Sequence, residues 1–332
     1  MSPVGIAVVG AGPWGLTLAR AFASLEQQVE LHWICELDGE RRARAAAAHP
    51  RARITDTLDD VVADPEVTAV VVAVEAARHH AVGMQALLAR KHLFVEKPLA
   101  LRTHDAEELC ATAGARGLVL TVGHLLLHHP AIARAQQMLG EGVLGEPLYF
   151  ESRRMTTGAP RKPGSAWWSL APHDVSLVIH LFGALPLTVT AAGGAWDEAG
   201  EDNVASAVLG FEDGKTAHIH VGRFADEKRR EVLLAGTRAT LTFDELHPDR
   251  ALRLSTPGHE SAVVACERRD ALLAQCRHFA ACVARDDRHG GNGPHAAHVA
   301  RVLEAGERSM RSSGAAQRLV VSDGRRASFE AA

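Results

Sequence analysis

The chain has 332 residues, 47% of them hydrophobic and 23% charged, with a formal net charge of −4. That length suits about two domains and buries a sizeable core without disulfides or metal. The slight acidity argues against a nucleic-acid partner or an anionic membrane held through bulk charge.

Residues 4–10 predict a buried strand, followed by a helix over 13–25 with Pro13 near its first turn, where a missing N–H costs nothing. Further strands are expected at 29–35, at Arg53–Ile54, and at 67–74, a β-branched run suited to a sheet covered on both faces. A helix over 79–91, a strand at 92–95, a helix over 105–115 and a strand at 118–122 complete an alternation with short connections. This is the pattern of a doubly wound parallel sheet, an α/β Rossmann domain.

The pattern changes after Gly123. Strands are expected at 147–155, 187–193, 203–211, 215–223, 230–236 and 239–243, with a Glu-Asp-Gly hairpin turn at 212–214. Helices are expected near 127–139, 172–182, 270–286 and 294–313, and the segment 153–167 reads as a basic Gly/Pro-rich loop. The boundary is placed between residues 123 and 124. Residues 1–123 then form the Rossmann domain, and 124–332 a second α/β domain with mostly antiparallel strands.

Gly10-Ala11-Gly12-Pro13-Trp14-Gly15 is a G-x-G-x-x-G between a strand and a helix, the context that gives the motif meaning. Gly10 permits the tight turn, Gly12 a close approach to a pyrophosphate, and Gly15 close helix–strand packing. The helix N-terminus adds N–H donors. Glu36 ends the second strand at about 20 residues beyond the third glycine, where an acid holds the adenosine ribose hydroxyls and disfavours a 2′-phosphate. NAD is therefore the expected cofactor, with NADP open through Arg41 and Arg42.

Glu96-Lys97-Pro98 follows the strand at 92–95, which puts Lys97 at the sheet edge where ligands bind in this architecture. By itself a lone Lys at a strand end reads as a solvated charge. Trp168-Ser169-Leu170-Ala171-Pro172-His173-Asp174 opens a helix, with His173 expected in its first turn, where the dipole favours neutral imidazole. The plainer reading is an ordinary helix-start His. His218 and His220 share one strand face and offer a minority cleft reading.

The five cysteines show no C-x-x-C spacing, so no structural zinc and no disulfide framework are expected. Tyr149 is the only tyrosine and Arg153 follows it, so the Tyr-x-x-x-Lys pair of short-chain dehydrogenases is absent. No apolar run approaches the ~18 residues of a membrane span, and the N-terminus shows no signal-peptide pattern. A cytoplasmic protein is expected.

Together these stretches resemble the glucose–fructose oxidoreductase/inositol dehydrogenase/rhizopine-catabolism (Gfo/Idh/MocA) family. The resemblance runs through Val8–Gly15, Cys35–Asp38, His79, Phe94–Leu99, Val122–His124, Leu144–Leu148, Trp168–Asp174 and Cys276–Phe279. It implies a large open sheet in the second domain and a homodimer or homotetramer. It also implies catalytic roles for Lys97 and His173, the family's Lys and His, which meet at the cleft between domains. Cofactor contacts are expected from Gly10, Gly12, Pro13, Trp14, Gly15, Glu36, Glu75, His79, Glu96, Lys97 and Pro98. Substrate contacts are expected from Lys97, His124, Arg153, Trp168, Ser169 and His173.

Two departures stand out. Ser169 replaces the Asp common four residues before the catalytic His, and Glu75 replaces a common Pro. The expected function is NAD(P)-dependent interconversion of a secondary alcohol and a ketone on a sugar, with a branch resemblance to nucleotide-sugar enzymes acting at C3. Arg153, Arg154, Arg161 and Lys162 motivate a substrate phosphate. The alternatives are an imine reductase of specialised metabolism and a non-catalytic NAD-binding sensor or scaffold.

Overall fold

A computed structural model describes residues 3–157, 164–195 and 200–319. The chain divides into two compact units. One runs to Leu125 and takes up Asp270–Ala300 again; the other holds Leu126–Arg269 and the chain from Arg301 onward.

The first unit begins with β1 (Val4–Val9), α1 (Pro13–Ala23), β2 (Val29–Cys35), α2 (Gly39–Ala48), β3 (Arg53–Thr55), α3 (Leu58–Ala63) and β4 (Ala69–Val72). It continues with α4 (His79–Leu88), β5 (His92–Val95), α5 (Thr103–Arg116) and β6 (Leu120–Val122). Among the described residues its sheet has six strands in the order β3-β2-β1-β4-β5-β6, all parallel. β1 and β4 are buried at every position because helices pack on both faces. The strand order reverses between β1 and β4, and the crevice at such a point is where this architecture takes ligands.

The second unit carries α6 (Pro130–Gly140), β7 (Pro147–Met155), α7 (Ala166–Phe182), β8 (Thr188–Gly194), β9 (Val204–Gly210), β10 (Thr216–Gly222), β11 (Arg229–Gly236), β12 (Thr240–Asp244), β13 (Leu252–Ser255) and β14 (Ala262–Val263). α8 (Ala271–Ala284) belongs to the first unit, α9 (Gly293–Arg311) passes from the first into the second, and β15 (Gln317–Arg318) closes the order. Among the described residues the second sheet has nine strands, β14-β13-β12-β11-β7-β10-β9-β8-β15. Its strands pair antiparallel except β7 with β10.

Period-2 alternation gives this sheet one buried face. Phe150, Ser152 and Arg154 on β7, Ala217 and Ile219 on β10, and Ala205, Ala207 and Leu209 on β9 point inward, with α7 packed over these strands. The opposite face carries Arg153, Ser206, Val208, His218 and Glu231, all exposed.

Three sequence expectations are corrected. Strand β7 runs to Met155 as the strand expected at 147–155 does, so the basic loop, placed from Arg153, begins only after it; Arg161 and Lys162 lie outside the described residues. The helix bearing His173 starts at Ala166, capped by Ser165, whose hydroxyl accepts the Trp168 N–H, so Pro172 is inside the helix and not at its start. The division falls at Leu125, but residues 270–300 return to the first unit. The reason is packing: Cys276, Phe279, Ala280 and Cys282 of α8 join the apolar cluster of α1 and β1, and Phe279 stands edge-on to both Phe22 and Phe94. Ala296, Ala297 and Ala300 of α9 join the cluster built on α4 and α5.

Candidate functional site

The glycine loop has the shape a dinucleotide needs. Gly10 adopts φ +99°, and a Cβ on it would lie 2.5 Å from the Ala73 carbonyl oxygen at the end of β4. A Cβ on Gly15 would lie 1.9 Å from the Gly10 carbonyl oxygen, so only glycine lets α1 rise this close to β1. Gly12 is different: a Cβ there would meet nothing within 4 Å. The space above Gly12 is thus open, at the N-terminus of α1, where Pro13 and Trp14 stand at the surface and the first-turn N–H groups favour phosphate.

Glu36 stands beside this loop. One carboxylate oxygen accepts the Ala11 N–H at 2.7 Å and the other accepts the Asp38 N–H at 3.0 Å. Each oxygen keeps a further lone pair for a ribose hydroxyl. Arg42 donates to the carbonyls of Glu36 and Leu37, at 2.9 and 2.6 Å, and lies 3.4 Å from Asp56. Its guanidinium therefore serves the loop that holds Glu36, while Arg41 is exposed. The open cradle at Gly12 and the acid beside it fit a dinucleotide.

The ends of β4 and β5 form the second part. Glu96 is buried, and burial pushes its carboxyl up from the usual range, against a hydrogen bond from the Trp14 indole and the Lys97 charge. Its Oε2 accepts the Lys97 N–H at 3.1 Å. A Cβ on Gly123 would come within 2.8 Å of Oε1, so the glycine makes room for this carboxylate. Trp14, 42% exposed, thereby joins the glycine loop to the turn bearing Lys97, which leads into a cis bond to Pro98.

The remaining expected cofactor and substrate contacts differ in exposure. His79 is 1% exposed, and both its ring nitrogens face main-chain carbonyls, Pro98 at 2.7 Å and Val74 at 3.1 Å, which removes them from cofactor contact. Glu96 and Pro98 are likewise buried beneath the turn. Glu75 is exposed just before a short 3₁₀ turn, and its carbonyl accepts the Arg78 N–H. His124, 2% exposed, packs edge-on to His295 with ring centroids 5.7 Å apart.

In the second unit, Trp168, Ser169 and His173 are each partly exposed on α7. His173 lies about two turns from Ala166, so the helix dipole, which fades within one turn, does not reach it as expected. Ser169, one turn before His173, donates to the Ala166 carbonyl at 3.3 Å and accepts from Arg223 at 3.1 Å. Arg223 is 8% exposed and also lies 3.4 Å from the Ser165 carbonyl. Where the resemblance implies a carboxylate, this chain has a hydroxyl held by a buried cation. No sequence signal marked Arg223, which stands far from α7 along the chain.

The phosphate role for the two arginines of β7 is corrected. Arg154 is buried and grips Asp174 at 2.9 and 3.0 Å and Glu245 at 2.9 Å; Arg230 also pairs with Glu245. Both carboxylates lift its pKa further, outweighing burial, so it keeps its charge inside the fold. Arg153 projects from the face opposite α7 and pairs with Glu151 at 3.0 Å, away from His173. His218 and His220 share that outer face, His218 against Tyr149 and His220 on the Ser206 hydroxyl at 2.7 Å.

Comparison with known proteins fits this arrangement. Residues 4–124 match a family profile described as oxidoreductase family, NAD-binding Rossmann fold, and residues 132–242 match the GFO/IDH/MocA C-terminal domain. The chain is 31% identical over 290 residues to UDP-N-acetylglucosamine 3-dehydrogenase of Acidithiobacillus ferrooxidans, covering 83% of this chain and 88% of that one. It is 27% identical over 263 residues to 2,7-anhydro-N-acetylneuraminate hydratase of Escherichia coli K12, covering 74% and 69%. A solved structure of the Acidithiobacillus enzyme matches with a TM-score of 0.83 at 28% identity, over 94% of this chain and 99% of that one.

Proposed function

Because the chain belongs to the Gfo/Idh/MocA oxidoreductase family, with an NAD-binding Rossmann fold at its start, we propose that it oxidises a secondary hydroxyl of a nucleotide sugar, at C3, with NAD. The observation that carries the substrate class is the near-full-length likeness to UDP-N-acetylglucosamine 3-dehydrogenase. The preference for NAD is supported by Glu36, whose carboxylate stands at the glycine loop while Arg42 is engaged with main-chain carbonyls. A 2′-phosphate would face that carboxylate.

When bound, the dinucleotide supplies a hydride acceptor. The chain's own residues must then take the hydroxyl proton and hold the charge that develops on oxygen. His173 has the suitable unperturbed range for a base at neutral pH. The Lys97 ammonium stabilises the alkoxide. Gly12 and the α1 N-terminus receive the pyrophosphate, and Glu36 the ribose hydroxyls. Arg153 and Arg154 take no part in substrate binding in this reading. A homodimer or homotetramer is supported by the outer sheet face, where Val208 and Phe224 are each 41% exposed.

The test is to supply UDP-N-acetylglucosamine and its unacetylated and unlinked parents with NAD or NADP. NADH formation is followed and the carbon oxidised is located by NMR. Oxidation at C3 of the nucleotide sugar, with NAD preferred, is expected. Cofactor binding without turnover across the panel would turn the reading to a sensor, and turnover of cyclic imines alone to an imine reductase. Tighter binding of NADP would overturn the role given to Glu36.

A further inference from the structure

His79 begins α4, directly beneath the two loops that end β4 and β5. Its Nδ1 lies 2.7 Å from the carbonyl oxygen of Pro98, and its Nε2 3.1 Å from that of Val74. One imidazole thus spans the Val74–Glu75 loop and the Lys97–Pro98 turn. At 1% exposure, water does not reach either nitrogen.

We propose that His79 is a positioning residue: through the Pro98 carbonyl it fixes the turn from which Lys97 projects, and so sets where the Lys97 amine is held. The inference rests on the reading of Lys97 as catalytic.

The chemistry supports a directed clasp. A neutral imidazole carries one N–H, and the shorter distance assigns it to Nδ1, donating to Pro98; Nε2 then faces the Val74 carbonyl with a lone pair and bonds it only when the ring is protonated. Burial pushes the His79 imidazole down from its usual range; the two carbonyls oppose that shift, and the Lys97 charge adds to it. The ring and the amine therefore sense each other, although His79 touches no reacting atom. Glu96 restrains the other side of the turn by accepting the Lys97 N–H. Lys97 is thus flanked by two buried side chains, each bonded to its own or the next residue's main chain. A shift of about 1 Å in a group so placed costs on the order of 10²-fold in rate.

Two conservative variants separate the two contacts. In His79→Asn the amide nitrogen occupies the place of Nδ1 and keeps the bond to Pro98; in His79→Gln it occupies the place of Nε2 and donates to Val74 instead, leaving Pro98 without its donor. His79→Phe keeps the ring and has no donor.

The chain has five lysines, so ¹³Cε-lysine NMR resolves each, with Lys97→Arg identifying the Lys97 signal. Lys91, whose Nζ is held by the Asp64 and Val67 carbonyls at 2.8 and 2.7 Å, reports whether the fold is intact. With Lys91 unmoved, the Lys97 signal and its titration should shift in His79→Gln and His79→Phe and stay in place in His79→Asn. With NAD and UDP-N-acetylglucosamine, kcat should fall about 10²-fold in the first two variants and less than about 10-fold in the third, with KM for NAD within about 3-fold throughout.

An unmoved Lys97 signal in His79→Gln and His79→Phe, or equal effects of Asn and Gln, overturns the inference, and the NMR result decides this even without turnover. Full turnover by Lys97→Ala would instead sink the catalytic reading of Lys97, whatever the His79 variants do.

Discussion

The Asp174 carboxylate is gripped on both oxygens by the Arg154 guanidinium, at 2.9 and 3.0 Å, in the interior of the second unit. The pair ties α7 to β7 one residue beyond His173. Removing one partner strands the other charge in low dielectric. Arg154→Leu should therefore cost about 3–5 kcal/mol in urea unfolding, whereas Arg153→Leu, on the exposed face, should cost less than about 1 kcal/mol. Equal losses would contradict the facing assigned to these neighbours.

The same network gives an acid dependence. Burial pushes the Glu245 carboxyl up, but Arg154 and Arg230 outweigh it and hold the group below its usual range. A depressed folded value means that the stabilisation is fully present above the unfolded value of about 4.3 and is lost as pH falls through the folded one. Urea midpoints of the unmodified protein should thus drop below pH ~4.3 more steeply than those of Glu245→Gln. Parallel curves would remove Glu245 as a source of the acid loss.

Gly12 and Gly15 should separate binding from folding. The open space at Gly12 admits a methyl group, so Gly12→Ala should unfold at a temperature close to that of the unmodified chain. It should nonetheless lose NAD affinity by about 10-fold or more, because the methyl group enters the place of the pyrophosphate. At Gly15 a methyl group collides with the Gly10 carbonyl, so Gly15→Ala should destabilise the first unit itself. Calorimetry with and without NAD distinguishes the two; tight NAD binding by Gly12→Ala would relocate the phosphate site.

Lys97→Ala and His173→Ala should each lower kcat by about 10²–10⁴-fold while NAD affinity changes little. The double variant should lose much less than the product of the two single losses, as groups that serve one chemical step do. Steady-state kinetics with fluorescence titration of NADH checks this, and near-normal turnover by either single variant would exclude that residue.

Arg223 and Ser169 set a charge environment one helical turn from His173. A cation there opposes a protonated imidazole, and an acid favours it. Ser169→Asp and Arg223→Met should each move the rising limb of the kcat–pH profile to higher pH, with Ser169→Asp held in place by Arg223. An unmoved limb in both would show that it does not report His173.

The parallel sheet was legible because its β-branched runs and its glycine loop are local signals: β1, β2, β4 and β5 fall where periodicity puts them. β7 was legible over its whole length, but the basic loop was started at 153 inside it, and that overlap placed Arg153 and Arg154 together in a loop. Period-2 facing alone separates them. α7 was started too late because Pro172 reads as a helix opening, while the cap at Ser165 lies beyond a Trp pair that masks it. Lys97 and His173 could be singled out from the motifs around them. The clasp on His79, the hold of Glu36 on the Ala11 N–H and the Arg223–Ser169 bond could not, since each joins residues that only the fold makes neighbours.

The ring triangle of Phe22, Phe94 and Phe279 has a consequence for modularity. Its third member arrives from a stretch of chain synthesised long after the other two, once residues 126–269 of the second unit have emerged. The nucleotide half is therefore not a cassette: a fragment ending near residue 125 would leave Phe22 and Phe94 facing water. A chimera made by exchanging the front of this chain for that of a relative must carry α8 and the start of α9 along with it.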